Sequence, residues 1–190
     1  MKTKQKEFFP ILKNKMNLPN ILSITRIFLL IPIIIFFENE MFLYSLLIFI
    51  IASLTDYLDG YLARKNNLSS DLGAFLDLLA DKVFVCTILI WMTFNFNSPI
   101  ILVSSILIVS REISISYLRL FIITQSKDII EVKSDLLGKY KTTLQMIGLG
   151  FILISPLMSN LFFNISLSLL FFSAFISWYS FFMYLKKWIV

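Results

Sequence analysis

The chain has 190 residues, 58% of them apolar and 15% charged, with a formal net charge of +5 and no histidine. Its mean hydropathy is +0.83, whereas a soluble domain is about 45–50% apolar and about 25% charged. The balance excludes a disordered chain, the lone Cys86 excludes a disulfide scaffold, and the lack of histidine excludes catalysis by a histidine base. The excess positive charge comes largely from lysines at chain ends and in loops. That placement fits anionic headgroups and speaks against a nucleic-acid partner, which would need a basic stripe interleaved with aromatics.

In chain order, residues 1–16 place Phe8, Phe9, Ile11 and Leu12 among lysines. They read as an amphipathic juxtamembrane arm lying on the membrane surface. No small-residue cleavage site follows, so no removable leader is expected. Residues 17–190 read as one membrane domain. A span needs about 20 mostly apolar residues, and six segments qualify: Ile21–Phe37, Phe42–Leu62, Leu72–Phe94, Ile100–Ile123, Leu136–Met158 and Leu161–Leu185. Orientation follows from the basic residues. Lys2, Lys4, Lys6, Lys13, Lys15, Arg64, Lys65, Lys127, Lys133, Lys186 and Lys187 all fall on one side. The loops near Glu38–Glu40, Asn95–Ser98 and Ser159–Asn160 carry neither Lys nor Arg. The expected fold is an all-α integral membrane protein of six transmembrane helices with both termini cytoplasmic.

Spans two and three carry charges that a bilayer disfavours: Asp56, Asp59, Arg64, Asp77, Asp81 and Lys82. One carboxylate at mid-span costs about 2.5–3.5 kcal/mol on insertion scales, so these groups must face water, an ion or each other. Asp56, Asp59, Gly60, Ala63 and Arg64 lie on one stripe of a helix, as do Gly73, Asp77 and Asp81. Both stripes sit near the cytoplasmic ends of antiparallel neighbours, so they can face one another. Four carboxylates in a low-dielectric site need cations to balance them. An all-oxygen ligand set suits Mg²⁺, Mn²⁺ or Ca²⁺, and two divalent ions would neutralise the four. Paired metals clamp the attacking and leaving oxygens of a phosphoryl displacement. The small residues leave room for a flat ligand, and Arg64 offers a fork to a phosphate oxygen.

The run Asp56-x2-Asp59-Gly60-x2-Ala63-Arg64-x8-Gly73-x3-Asp77-x3-Asp81 resembles the signature of the CDP-alcohol phosphatidyltransferases at every fixed position. The resemblance implies a six-helix membrane fold, a homodimer, and transfer of a phosphatidyl group from a CDP-linked lipid to an alcohol with loss of CMP. It implies Mg²⁺ or Mn²⁺ on Asp56, Asp59, Asp77 and Asp81, with Asp81 also the general base. CDP-lipid binding would then fall to Asp56, Gly60, Ala63, Arg64 and Gly73.

The acceptor must be read elsewhere. Asn17-Leu18-Pro19-Asn20 through Arg26, Arg111-Glu112, and Gly138-Lys139-Tyr140-Lys141-Thr142 resemble family members that take glycerol 3-phosphate. A doubly charged acceptor phosphate needs cations beside the carboxylates. Arg111, Arg119, Lys139 and Lys141 are the candidates, and Glu112 is expected to pair with an arginine as a structural contact. The expected substrates are CDP-diacylglycerol and glycerol 3-phosphate, in a bacterial cytoplasmic membrane with the site facing the cytoplasm and lipids around it. Inositol phosphate, serine or phosphatidylglycerol as acceptor is the near alternative. A divalent-cation or proton-coupled transporter is the distant one, disfavoured because the charges gather near one surface only.

Overall fold

A computed structural model describes residues 18–65, 71–125 and 136–189; the proposed arm, residues 1–16, lies outside them. Among the described residues there are six α-helices: α1 (Leu18–Glu38), α2 (Phe42–Lys65), α3 (Asp71–Phe96), α4 (Pro99–Gln125), α5 (Leu136–Ile154) and α6 (Asn160–Ile189). Each follows one of the apolar runs read from the sequence. The largest boundary differences, four residues each, are in α5, which stops at Ile154 instead of Met158, and in α6, which runs on to Ile189 instead of Leu185. After α5, Ser155–Leu157 forms one 3-10 turn with Pro156 in its first positions, because proline cannot continue an α-helical ladder.

Three of the helices contain stretches long and apolar enough to cross a membrane: Asn20–Glu38, Pro99–Leu118 and Asn160–Lys186. The outer surface agrees with a lipid setting. Phe28 (64% exposed), Ile90 (63%) and Phe172 (61%) project outward, while Arg26 (0%), Arg111 (7%) and Lys141 (7%) are buried. That distribution inverts the usual soluble pattern and is the one expected where the surroundings are lipid.

The packing order is not the chain order. Helix α1 packs on α2 and α3, α2 also on α5, α5 on α6, α6 on α4, and α4 on α3. The helices thus close a ring in the order α1, α2, α5, α6, α4, α3. Its interior is filled by Ile33, Phe49, Phe84, Ile88, Leu149, Ile152 and Leu170. Phe49 of α2 stacks on Phe84 of α3 with centroids 5.8 Å apart. Helices α5 and α6 meet where Gly148 faces Leu170. A Cβ on Gly148 would lie 3.2 Å from the Leu170 backbone nitrogen, so glycine permits that approach.

The turns opposite the charged end are tightly capped. After α1, the Met41 N–H donates to the Phe36 carbonyl (2.8 Å) and the Glu40 N–H to that of Phe37 (2.9 Å). This is a Schellman closure with Glu40 in the left-handed region at φ 61°, a place usually taken by glycine. Glu40→Gly is therefore expected to stabilise the chain by about 1 kcal/mol, seen as a raised unfolding midpoint in detergent; a lowered midpoint would refute this. Asn97, at φ 44°, ends α3 before Pro99 opens α4 at a position proline favours. Ser159 caps α6, its Oγ accepting from the Phe162 N–H at 3.4 Å. An aromatic cluster braces the same end. Phe37 meets Phe42 and Trp91 at 4.9 Å each and Phe96 at 5.6 Å. The Nε1–H of Trp91 and the amide of Asn95 both donate to Glu38 Oε1 at 3.0 Å.

Candidate functional site

At the other end of the ring the interior is polar. Helix α3 brings Gly73, Asp77 and Asp81 to one face at four-residue spacing, with Gly73 half-buried and the two aspartate side chains about half exposed. Facing them is a residue the sequence reading assigned no role, Arg26 of α1. Its side chain is fully buried. Arg26 Nη1 donates to Asp81 Oδ1 at 2.7 Å and lies 3.7 Å from Asp77 Oδ1. One guanidinium nitrogen thus gathers both carboxylates.

Arg26 is the third member of a buried polar stripe on α1, after Asn20 and Ser23. The spacing of three residues in an otherwise apolar span was the available signal. Helix α1 reaches the aspartates because it packs on both α2 and α3. Among the described residues α1 packs between α2 and α3, so the direct adjacency of α2 and α3 expected from the sequence is replaced by two helices flanking α1.

Asp56, Asp59, Gly60, Ala63 and Arg64 lie on the last turns of α2; their side chains fall outside the described residues. Among the described residues no group of three or more acidic, histidine or cysteine side chains forms a metal-binding cluster. Asp77 and Asp81 do supply what a hard divalent cation takes: two carboxylates, all-oxygen, converging on one cation already. These two carboxylates could ligate such an ion.

The acceptor candidates divide. Arg119 on α4 and Lys139 on α5 have side chains outside the described residues. Arg111 and Lys141 are buried and are brought together by Glu112. Arg111 Nη1 and Lys141 Nζ each donate to Glu112 Oε1 at 2.8 Å. Lys82 Nζ, from α3, donates to Glu112 Oε2 at 3.1 Å and to its backbone carbonyl at 3.0 Å. The Glu112 pairing expected from the sequence is present and wider than expected, with three cations in place of one arginine. Helix α6 joins through Ser177: its carbonyl accepts from Arg111 Nε at 3.2 Å, and its Oγ from Lys141 Nζ at 3.4 Å. Lys82 directly follows Asp81, so the two polar groups are adjacent on α3.

The arrangement places carboxylates suited to a hard cation beside cations suited to a phosphate, inside a membrane-type helix ring. The sequence matches the profile of the CDP-alcohol phosphatidyltransferases over residues 16–185. The chain belongs to this family. Similar proteins of the CDP-alcohol phosphatidyltransferase class include one from Wigglesworthia glossinidia brevipalpis, 40% identical over 140 residues, covering 71% of this chain and 75% of that one. One from Haemophilus influenzae is 40% identical over 140 residues, covering 72% and 75%. One from Escherichia coli is 36% identical over 144 residues, covering 74% and 78%. All three carry the name CDP-diacylglycerol–glycerol-3-phosphate 3-phosphatidyltransferase. As a CDP-alcohol phosphatidyltransferase, the chain is a membrane-embedded transferase of phospholipid synthesis.

Proposed function

We propose that the chain transfers the phosphatidyl group of CDP-diacylglycerol to glycerol 3-phosphate, giving phosphatidylglycerophosphate and CMP. The observation that carries this reading is the cation group of Lys82, Arg111 and Lys141 around Glu112, two of the three buried and the third directly following Asp81 on α3. A phosphate-bearing acceptor needs such a group; an uncharged alcohol does not. The names of the bacterial relatives support the same acceptor.

In the proposed reaction the acceptor hydroxyl oxygen attacks the phosphatidyl phosphorus. A new O–P bond forms, the bond from that phosphorus to the bridging oxygen breaks, and CMP leaves with the electron pair. Asp81 takes the hydroxyl proton. Without histidine in the chain, a carboxylate is the available base, and a positioned base is worth about 10²–10⁴-fold. Arg26 holds Asp81 through Oδ1 and so would orient its carboxylate. Asp56, Asp59, Asp77 and Asp81 would hold two divalent cations, Mg²⁺ or Mn²⁺, which when bound supply charge neutralisation for the pyrophosphate and the departing CMP. Gly60, Ala63, Arg64 and Gly73, with Asp56, would shape the CDP-lipid pocket. Lys82, Arg111 and Lys141 would bind the acceptor phosphate, joined by Arg119 and Lys139.

The proposal extends to topology. The six helices would each span the bilayer, with both termini and the polar end of the ring in the cytoplasm of a bacterial inner membrane. Residues 1–16 would lie on the membrane surface beside a domain formed by residues 17–190, among membrane lipids and as a homodimer. The basic-residue asymmetry supports the orientation.

The test is CMP release by the purified protein in detergent with CDP-diacylglycerol and Mg²⁺. It is run with glycerol 3-phosphate, inositol phosphate, serine, phosphatidylglycerol or no acceptor. Release dependent on glycerol 3-phosphate alone is expected. Release with a different acceptor would keep the reaction and overturn the acceptor assignment, and no release from folded protein would overturn the reaction.

A further inference from the structure

We propose that Glu112 is a positioning residue for the acceptor: its carboxylate gathers Lys82, Arg111 and Lys141, from three helices, into one preformed site for a phosphate monoester. The inference rests on the acceptor reading above and goes beyond it. That reading used the cations; this one concerns what assembles them.

Both oxygens of Glu112 are engaged, Oε1 by Arg111 and Lys141 and Oε2 by Lys82. The backbone carbonyl of the same residue takes a second bond from Lys82. Three like charges gathered in a largely buried site repel one another. A single carboxylate between them holds them together while leaving an excess of positive charge among the described groups. An ammonium has three N–H donors. Lys82 directs two to Glu112, and Lys141 directs one to Glu112 and one to Ser177. Each lysine retains a donor for an incoming anion. Preorganised donors of this kind need no rearrangement when the charge arrives.

The placement also sets the register of the reaction. Lys82 is the residue after Asp81, so fixing its ammonium against Glu112 fixes the acceptor phosphate relative to the carboxylate that takes the hydroxyl proton. Glu112 touches no reacting atom; it acts through the three cations.

The test compares the wild-type chain with Glu112→Gln, Glu112→Asp and Lys82→Met, all full length in detergent with Mg²⁺. CMP release is measured against glycerol 3-phosphate and, separately, against CDP-diacylglycerol. Direct binding of glycerol 3-phosphate is measured by calorimetry, and unfolding midpoints are recorded. Glu112→Gln is expected to raise KM and Kd for glycerol 3-phosphate at least about tenfold, since hydrogen bonds to charged groups are lost. KM for CDP-diacylglycerol should move less than about threefold on the same scale. Glu112→Asp, which keeps the charge, should recover part of the loss, and Lys82→Met should shift acceptor KM in the same direction.

Unchanged or tighter acceptor binding in Glu112→Gln would overturn the proposal, since Glu112 would then merely compete with the anion. A parallel rise in both KM values with a lowered midpoint would overturn it in favour of a purely structural role. If Glu112→Gln fails to fold, Lys82→Met decides: an unchanged acceptor KM there overturns the proposal. The wild-type arms separate this inference from the reading beneath it. Wild-type use of inositol phosphate alone would displace glycerol 3-phosphate and leave the Glu112 variants to be judged on that phosphate. Wild-type use of a phosphate-free acceptor alone would overturn both.

Discussion

Asp81→Asn is expected to lower CMP release by about 10²–10⁴-fold, the usual worth of a positioned general base, while leaving metal-dependent binding of CDP-diacylglycerol largely intact. The amide has nearly the shape of the carboxylate, and its oxygen can still accept from Arg26 Nη1, now at 2.7 Å from Asp81. What it lacks is the capacity to take a proton. Asp77, at 3.7 Å from the same nitrogen, stays in place, so the local charge pattern is only partly altered. Single-turnover CMP release measured beside equilibrium binding of the CDP-lipid separates the two effects. Turnover at the wild-type rate would remove Asp81 from the role of base.

The second large effect is expected at Arg26. Arg26→Met keeps approximate length and volume and deletes the guanidinium. Breaking a fully buried ion pair costs about 3–5 kcal/mol. Here the arginine is buried but its partners are about half exposed, so solvent screens what is left behind. A loss of about 1–3 kcal/mol in stability is the scaled expectation. Turnover should fall about 10²-fold, the cost of a misplacement near 1 Å in a reacting group. Arg26→Lys, a single point donor without the planar fork, should fall between the two. An Arg26→Met protein with wild-type turnover and reduced stability would assign Arg26 to folding alone.

The helices were legible from the apolar runs, because a span leaves a signal about 20 residues long. Their ends were legible only to a few residues. The α5 terminus at Ile154 depends on one turn around Pro156, and α6 runs through Lys186 and Lys187 to Ile189, because lysines mark an interface and do not end a helix. The Asp77–Asp81 face was legible because α-helical periodicity places residues four apart on one side.

Arg26 escaped assignment for a physical reason. The short connection between spans two and three identifies neighbours in the chain, but cannot say that a third helix, α1, packs on both. Arg111, Lys141 and a Glu112–arginine pair were foreseen, but the convergence of Lys82 and Lys141 on Glu112 escaped for the same reason. Lys82, Arg111 and Lys141 are separated by up to 59 residues in sequence, and only the ring order brings α3, α4 and α5 around one carboxylate.

The ring order is a palindrome: traced from either terminus, the chain visits its positions in the same pattern. Helix α1 sits between α2 and α3 as α6 sits between α5 and α4. The molecule is thus two three-helix halves meeting along two seams, α3 on α4 and α2 on α5. On the proposed assignment the first half holds Asp56, Asp59, Asp77 and Asp81 and recognises the donor lipid, and the second supplies Arg111, Glu112 and Lys141 for the acceptor. Among the described ion pairs, Lys82–Glu112 is the one that crosses from one half to the other. Donor and acceptor recognition are therefore separable in this architecture: changes confined to α4–α6 can retune which alcohol is taken without disturbing how the activated lipid is held.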